Sequence, residues 1–333
     1  MKKSWLIIGI LVFLGLVVFI TAPRTKTTVQ PPTQERVFIT PPPIRPSSLP
    51  QPLSTKPITY SGTPVASFPG SVPYYKVSRV RDFETERDRI FSLYNSTALP
   101  STIIGSKGRY ASFSSGPRSG TLSENPLTFT LRTNTSSNRF VTNNISKYID
   151  MFTSSLAELS VVPRPFTATM SAQRFFSFND PHPTELTTPQ GAVVTQLDFA
   201  AVIDGLPVFI NNADTPVFSA SFNGDDVLME LRATILPDIT KETQIIPIIS
   251  YAEALQRLKN NVGIFSSVSL TSTGEKEFMT GALPSAIRVQ KVALGYFYSS
   301  VQEFLIPVFV FTGAAEEPGE KAILKTTTVV SAL

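Results

Sequence analysis

The first fifty-seven residues cannot join a water-soluble core, so the fold has to be built from residues 58–333. Ser4–Ala22 is nineteen residues without a charge, preceded by Lys2 and Lys3 and followed by Arg24. A helix of that length rises about 28 Å, close to the ~30 Å hydrocarbon core of a bilayer. This predicts a transmembrane anchor over 1–22 that engages the membrane through residues 4–22. A short basic leader before an apolar segment goes N-in, which places the remainder outside the cytoplasm as a single-pass cell-membrane protein. A cleaved signal peptide is the competing reading; the length of the apolar run and Pro23 just after the cleavage point favour retention. Residues 23–57 hold ten prolines in thirty-five positions, including Pro41-Pro42-Pro43. Such a stretch builds no hydrogen-bonded ladder and reads as an extended stalk of about 100 Å at ~3.1 Å per residue.

Charge obeys the same division. Residues 1–57 carry seven basic side chains and one acid, a net of +6, against +4 for the whole chain, which leaves −2 for 58–333. The basic balance therefore belongs to the anchor and stalk, and a nucleic-acid partner is disfavoured. The absence of cysteine rules out disulfides, thiolate metal sites and a lipidated cysteine, so stability has to come from a core.

Beyond residue 58 single helices alternate with groups of strands. Ser250 stands three residues ahead of Glu253 as a capping pair, and Ala254, Leu255, Leu258 and Val262 come next at helical spacing before Gly263. A second helix is predicted over Ile145–Leu159 and a third over Asp82–Tyr94. Strict alternation in Val217–Phe222 and Met229–Ile235 reads as half-buried antiparallel strands, and Asp204-Gly205 and Asn223-Gly224 suit the positive φ of tight hairpins. The segment 193–235 is thus expected to be a four-stranded meander covered by the helix at 145–159. The fold class expected is α+β: an N-terminal transmembrane helix plus repeated modules of one helix packed on an antiparallel β-meander. The divisions are a degenerate unit at 58–140 and two modules at 141–240 and 241–333. Leu206-Pro207-Val208-Phe209 matches Ile306-Pro307-Val308-Phe309 one hundred residues later, which supports a duplication, and both prolines are expected at an edge or bulge.

Asp204-Gly205-Leu206-Pro207-Val208-Phe209, Ser250-Tyr251-Ala252-Glu253-Ala254-Leu255, Leu294-Gly295-Tyr296 and Leu305-Ile306-Pro307-Val308-Phe309 together resemble the YycH/YycI family of Gram-positive bacteria and, more distantly, PepSY-type modules. The resemblance covers about 190–313. It implies one N-terminal membrane helix, extracytoplasmic helix-and-sheet units without catalytic residues, and modulation of a membrane sensor kinase governing cell-wall metabolism. The long proline-rich stalk and Phe309, where relatives place a tryptophan, depart from that pattern.

Few residues invite chemistry. His182 is the one histidine, and its flanking Pro181 and Pro183 indicate a surface loop, whereas a catalytic base has to be held rigidly beside its nucleophile. One histidine and no cysteine cannot supply the three ligands of a zinc site. Asp225-Asp226 is a candidate calcium-binding pair, but neighbouring residues in a turn point apart. Gly105-Ser106-Lys107-Gly108 lacks the spacing of a phosphate-binding loop. Tyr296, Phe297 and Tyr298 form an aromatic cluster suited either to a binding surface or to a core. No catalytic, cofactor or metal residues are nominated. The expectation is a non-catalytic, membrane-anchored extracytoplasmic interaction or regulatory protein that modulates a sensor kinase and whose partner is a membrane protein or envelope component. The alternatives are a cell-wall-associated structural or ligand-binding domain and a Ser/Lys-type hydrolase.

Overall fold

A computed structural model describes residues 58–62, 67–94, 102–105, 108–135, 137, 139–178, 183–210, 216–260, 264–265, 286–316 and 323–333. The chain runs through β1 (Ile58–Tyr60), β2 (Ser71–Arg79), α1 (Phe83–Leu93), β3 (Thr102–Gly105), β4 (Gly108–Ser115), β5 (Arg118–Ser123) and β6 (Thr128–Thr133). It continues with α2 (Ile145–Leu159), β7 (Thr167–Ser177), β8 (Thr184–Leu186), β9 (Val194–Ile203), β10 (Leu206–Ile210), β11 (Phe218–Asn223), β12 (Leu228–Thr234) and β13 (Asp238–Pro247). It closes with α3 (Tyr251–Lys259), β14 (Ile264–Phe265), β15 (Ala286–Tyr298), β16 (Ile306–Glu316) and β17 (Ile323–Ser331).

The helices form where spacing and caps require them. The Asp82 side chain accepts from Thr85 N, that of Asn144 from Lys147 N, and the Ser250 hydroxyl from Glu253 N, each satisfying an otherwise orphaned helix N–H. Tyr148, Phe152, Leu156 and Leu159 fall on one face of α2 and are buried. The Phe152 ring lies 3.8 Å from that of Phe199, nearly parallel, and Tyr148 stacks on Phe222 at 4.5 Å. Phe91 of α1 meets Phe113 edge to face and its C-cap Tyr94 stacks on the same ring, and α3 buries Ala254 and Leu258.

The expected fold class is corrected. The described residues are 54% strand and 16% helix, not repeated helix-plus-meander modules, and fifteen strands join one continuous sheet. The 193–235 segment is not a meander. β10 pairs antiparallel with β9 only through Leu206–Val208, then pairs in parallel with β15 through Val208–Ile210. β11 then resumes the edge of β9 along Val194–Phe199, while β7 takes the other edge. Alternation tells which face a strand buries and not which strand lies beside it, so the detour of β10 to a partner almost ninety residues away left no local trace.

The repeated Pro-Val-Phe segments flank the same strand: Tyr296 of β15 opposes Val208 on one side and Pro307 on the other. Pro307 is second in β16, one residue before the β17 ladder starts at Val308, so its missing N–H breaks no rung there. β2 and β13 form a separate two-stranded ribbon. That ribbon is tied to the main body by Val77 N donating to Glu303 O and Leu305 N to Tyr75 O.

Among the described residues no helix is long and apolar enough to cross a membrane. The longest, α2, has fifteen residues and rises only about 22 Å. Residues 4–22 and the proline-rich 23–57 lie outside the described residues. The placement as a single-pass membrane protein with its C-terminal domain outside the cytoplasm is corrected accordingly and does not stand on this structure.

Candidate functional site

The residues nominated from sequence do not converge. His182, Ser106 and Lys107 lie outside the described residues. Tyr296, Phe297 and Tyr298 are all buried in β15. Tyr296 donates to Pro73 O at 2.9 Å and meets Tyr75 edge to face, so the first of them is core. Asp225 and Asp226 point apart and are each spent on a cation, Arg139 at 3.1 Å and Lys147 at 2.8 Å. No cluster of three or more histidine or carboxylate side chains able to hold a metal occurs among the described residues.

Asp226 has a structural task. It sits at positive φ in the β11–β12 turn and accepts from the Tyr148 hydroxyl (2.7 Å), the Thr142 hydroxyl (2.9 Å) and Lys147, clamping the turn to the start of α2. Asp204, in the β9–β10 turn, does the same with the Tyr75 hydroxyl and Lys241, clamping that turn to the β2–β13 ribbon. Asp204 and Gly205 both take the positive φ that a two-residue hairpin needs. Gly224, expected to do likewise, does not; it is glycine because a Cβ there would meet the Arg139 carbonyl. The bonds from lysine and tyrosine hold both carboxyls below the usual carboxylate value, while burial pushes the Tyr75 and Tyr148 hydroxyls up and keeps them donors. A depressed folded pKa stabilises the native state above the unfolded value, about 4, and that contribution is lost as pH falls through the lower folded value. The Asp204→Asn/Asp226→Asn pair should therefore flatten the fall in stability below about pH 4 in urea melts taken at successive pH values. An acid limb unchanged from wild type would count against the two clamps.

An open concavity lies on the sheet face opposite α2. Leu197, Ala220, Leu231 and Leu131 point towards the helix side and are buried, so their strand neighbours point to the other face. There Gln196, Ser221 and Ser119 line a groove of about 700 Å³. Phe176 and Phe178 form one wall, and Phe178 is 53% exposed. Arg132 and Glu230 are the charged pair in the groove, bridged to each other at 2.8 Å.

A polar chain holds this wall. The Arg174 guanidinium lies over the Phe176 ring at 5.9 Å and donates to the Asp198 carboxylate at 3.0 and 2.7 Å. Asp198, 6% exposed, also accepts from Gln196 Nε2 at 2.8 Å, which leaves the Gln196 amide oxygen to the groove. At the far end Asn223 Nδ2 donates to the Thr135 hydroxyl, tying the groove to the Asp226 turn. The lining thus sets hydroxyl and amide groups and the mutually paired Arg132 and Glu230 beside an exposed aromatic ring, preset by buried neighbours.

None of these residues was nominated from the sequence. Each reads alone as a solvated strand position, and six strands drawn from residues 118 to 234 bring them together. No family model matches the chain, and neither a curated protein nor a solved structure matches it. The resemblance to YycH/YycI proteins, with the kinase partnership it implies, therefore rests on its sequence motifs alone.

Proposed function

We propose that this chain is a non-catalytic binding module that takes an uncharged polysaccharide strand along the groove of β5, β6, β12, β11, β9 and β7. The observation that carries the reading is the lining itself: rows of hydroxyl and amide groups about 4.8 Å apart from strand to strand, with Phe178 exposed as a stacking platform. Sugar rings offer an apolar C–H face to an aromatic side chain and hydroxyls to polar ones, the pairing this surface provides. A charged polymer is disfavoured because Arg132 and Glu230 neutralise each other. The absence of an acid–base pair free of other partners among the described residues of this groove supports binding over turnover.

Cosedimentation with insoluble chitin, cellulose and peptidoglycan tests the reading. The protein should pellet with at least one of them, and ~0.5 M salt should leave the bound fraction unchanged, since no ion pair forms. Phe178→Ala should weaken binding about tenfold, some 1.4 kcal/mol, and shift stability by no more than about 0.5 kcal/mol at so exposed a position. Failure to pellet with any of the three, or equal binding by the variant, would overturn the proposal.

A further inference from the structure

A second cavity, of about 400 Å³, opens where α1, the β5–β6 turn and the ends of β10 and β15 meet, away from the sheet-face groove. Its floor is apolar, built from Phe83, Leu127, Ile210 and Ile235. Its mouth looks cationic but is not. Arg81 is held by Glu86 (3.2 Å) and Asp238 (2.7 Å), and Arg109 by Glu84 (2.8 Å) and Glu124 (2.7 Å). The Arg109 guanidinium also covers the Phe83 ring at 4.9 Å. A charged ligand would have to break one of these pairs or sit beside one without a counterion, and either is costly in a partly dry cleft.

Two donors in the wall are unspent, Arg81 Nε and the Tyr298 hydroxyl. Tyr298 is 7% exposed and lines the cavity, and its hydroxyl has no hydrogen-bond partner among the described residues. The hydroxyl oxygen is not one of the sealed, unpartnered side-chain atoms, so it reaches the open space of the cavity. Burial pushes the Tyr298 hydroxyl up to about 12, so it is a donor at any physiological pH. Ser300 stands exposed at the rim.

We infer that this cavity is a binding site for an uncharged small molecule with an apolar body and a carbonyl acceptor, the body seated on Phe83, Ile210 and Ile235 and the carbonyl accepting from Tyr298. The site is independent of the polysaccharide reading, because it shares no lining residue with the groove.

Three molecules of one shape separate the alternatives: benzamide, benzoate and benzylamine, titrated into the full chain by saturation-transfer NMR and thermal shift. Benzamide should bind at least tenfold more tightly than either charged analogue. Tyr298→Phe should lose that binding at least tenfold while melting as wild type does. Ser300→Trp, at an exposed rim position, should close the mouth and abolish binding even if Tyr298→Phe proves poorly folded. Phe178→Ala should bind benzamide as wild type does. Equal binding of benzoate or benzylamine, unchanged benzamide binding in both Tyr298→Phe and Ser300→Trp, or no binding of benzamide to the wild type would each overturn the inference.

Discussion

Phe152→Ala should remove about 3–5 kcal/mol of unfolding free energy, the range for deleting a fully buried aromatic ring. Phe152 is 1% exposed, stacks on Phe199 at 3.8 Å and meets Phe218 edge to face at 6.4 Å. It is the central contact of α2 with the sheet, and the strands beneath it also carry the groove on their opposite face. The loss has two parts: transfer of the ring back to water and the cavity left where rigid strands cannot close in. Phe152→Leu keeps most of the volume and should cost less than half as much. Urea melts would show the midpoint falling with an unchanged slope. A loss under about 1 kcal/mol for the alanine variant would mean that α2 does not hold the sheet.

Glu86→Ala should be comparably damaging for a different reason. The Glu86 carboxylate, 2% exposed, receives Arg81 at 3.2 Å and Arg89 at 2.8 and 2.5 Å. Removing one partner of a buried ion pair costs about 3–5 kcal/mol where the charge left behind has neither counterion nor water; Arg81 keeps Asp238 at 2.7 Å and Arg89 is 31% exposed, so the low end of that range is expected. Arg81 is 17% exposed with its Nε unpartnered, so Asp238 is the counterion left to it. Replacing both ends with apolar residues of similar volume, Arg81→Met with Glu86→Leu, should return part of the loss, the remainder reflecting Asp238 and Arg89, which each lose a partner. A double-mutant cycle read by denaturant melts would give that coupling. A double variant no better than Glu86→Ala would show that the acid serves packing and not charge compensation.

How far the sequence could be read depends on the range of the interaction concerned. The α2 and α3 helices were legible because their signals lie within a turn or two: Ser250 before Glu253, and Tyr148, Phe152, Leu156 and Leu159 on one stripe. Asp204-Gly205 was legible as a hairpin for the same reason. Strand partnership was not. Thr59 lies beside Arg288, and Arg132 beside Glu230, through contacts that no window of the sequence contains. The groove was hidden still more deeply, because Ser119, Gln196 and Ser221 are ordinary surface residues until six strands place them side by side. A buried acid such as Asp198, in a strand otherwise rich in apolar residues, was the one local hint, since a carboxylate there has to be serving a neighbour.

The five residues of β10 act as a rivet. They are stitched to β9 at one end and to β15 at the other, so neither the array around β9 nor the array around β15 can shed them and keep its margin intact. Heat or a pulling force that loosens one array strips a rung from the other, and the two halves are bound to fail together as a single piece.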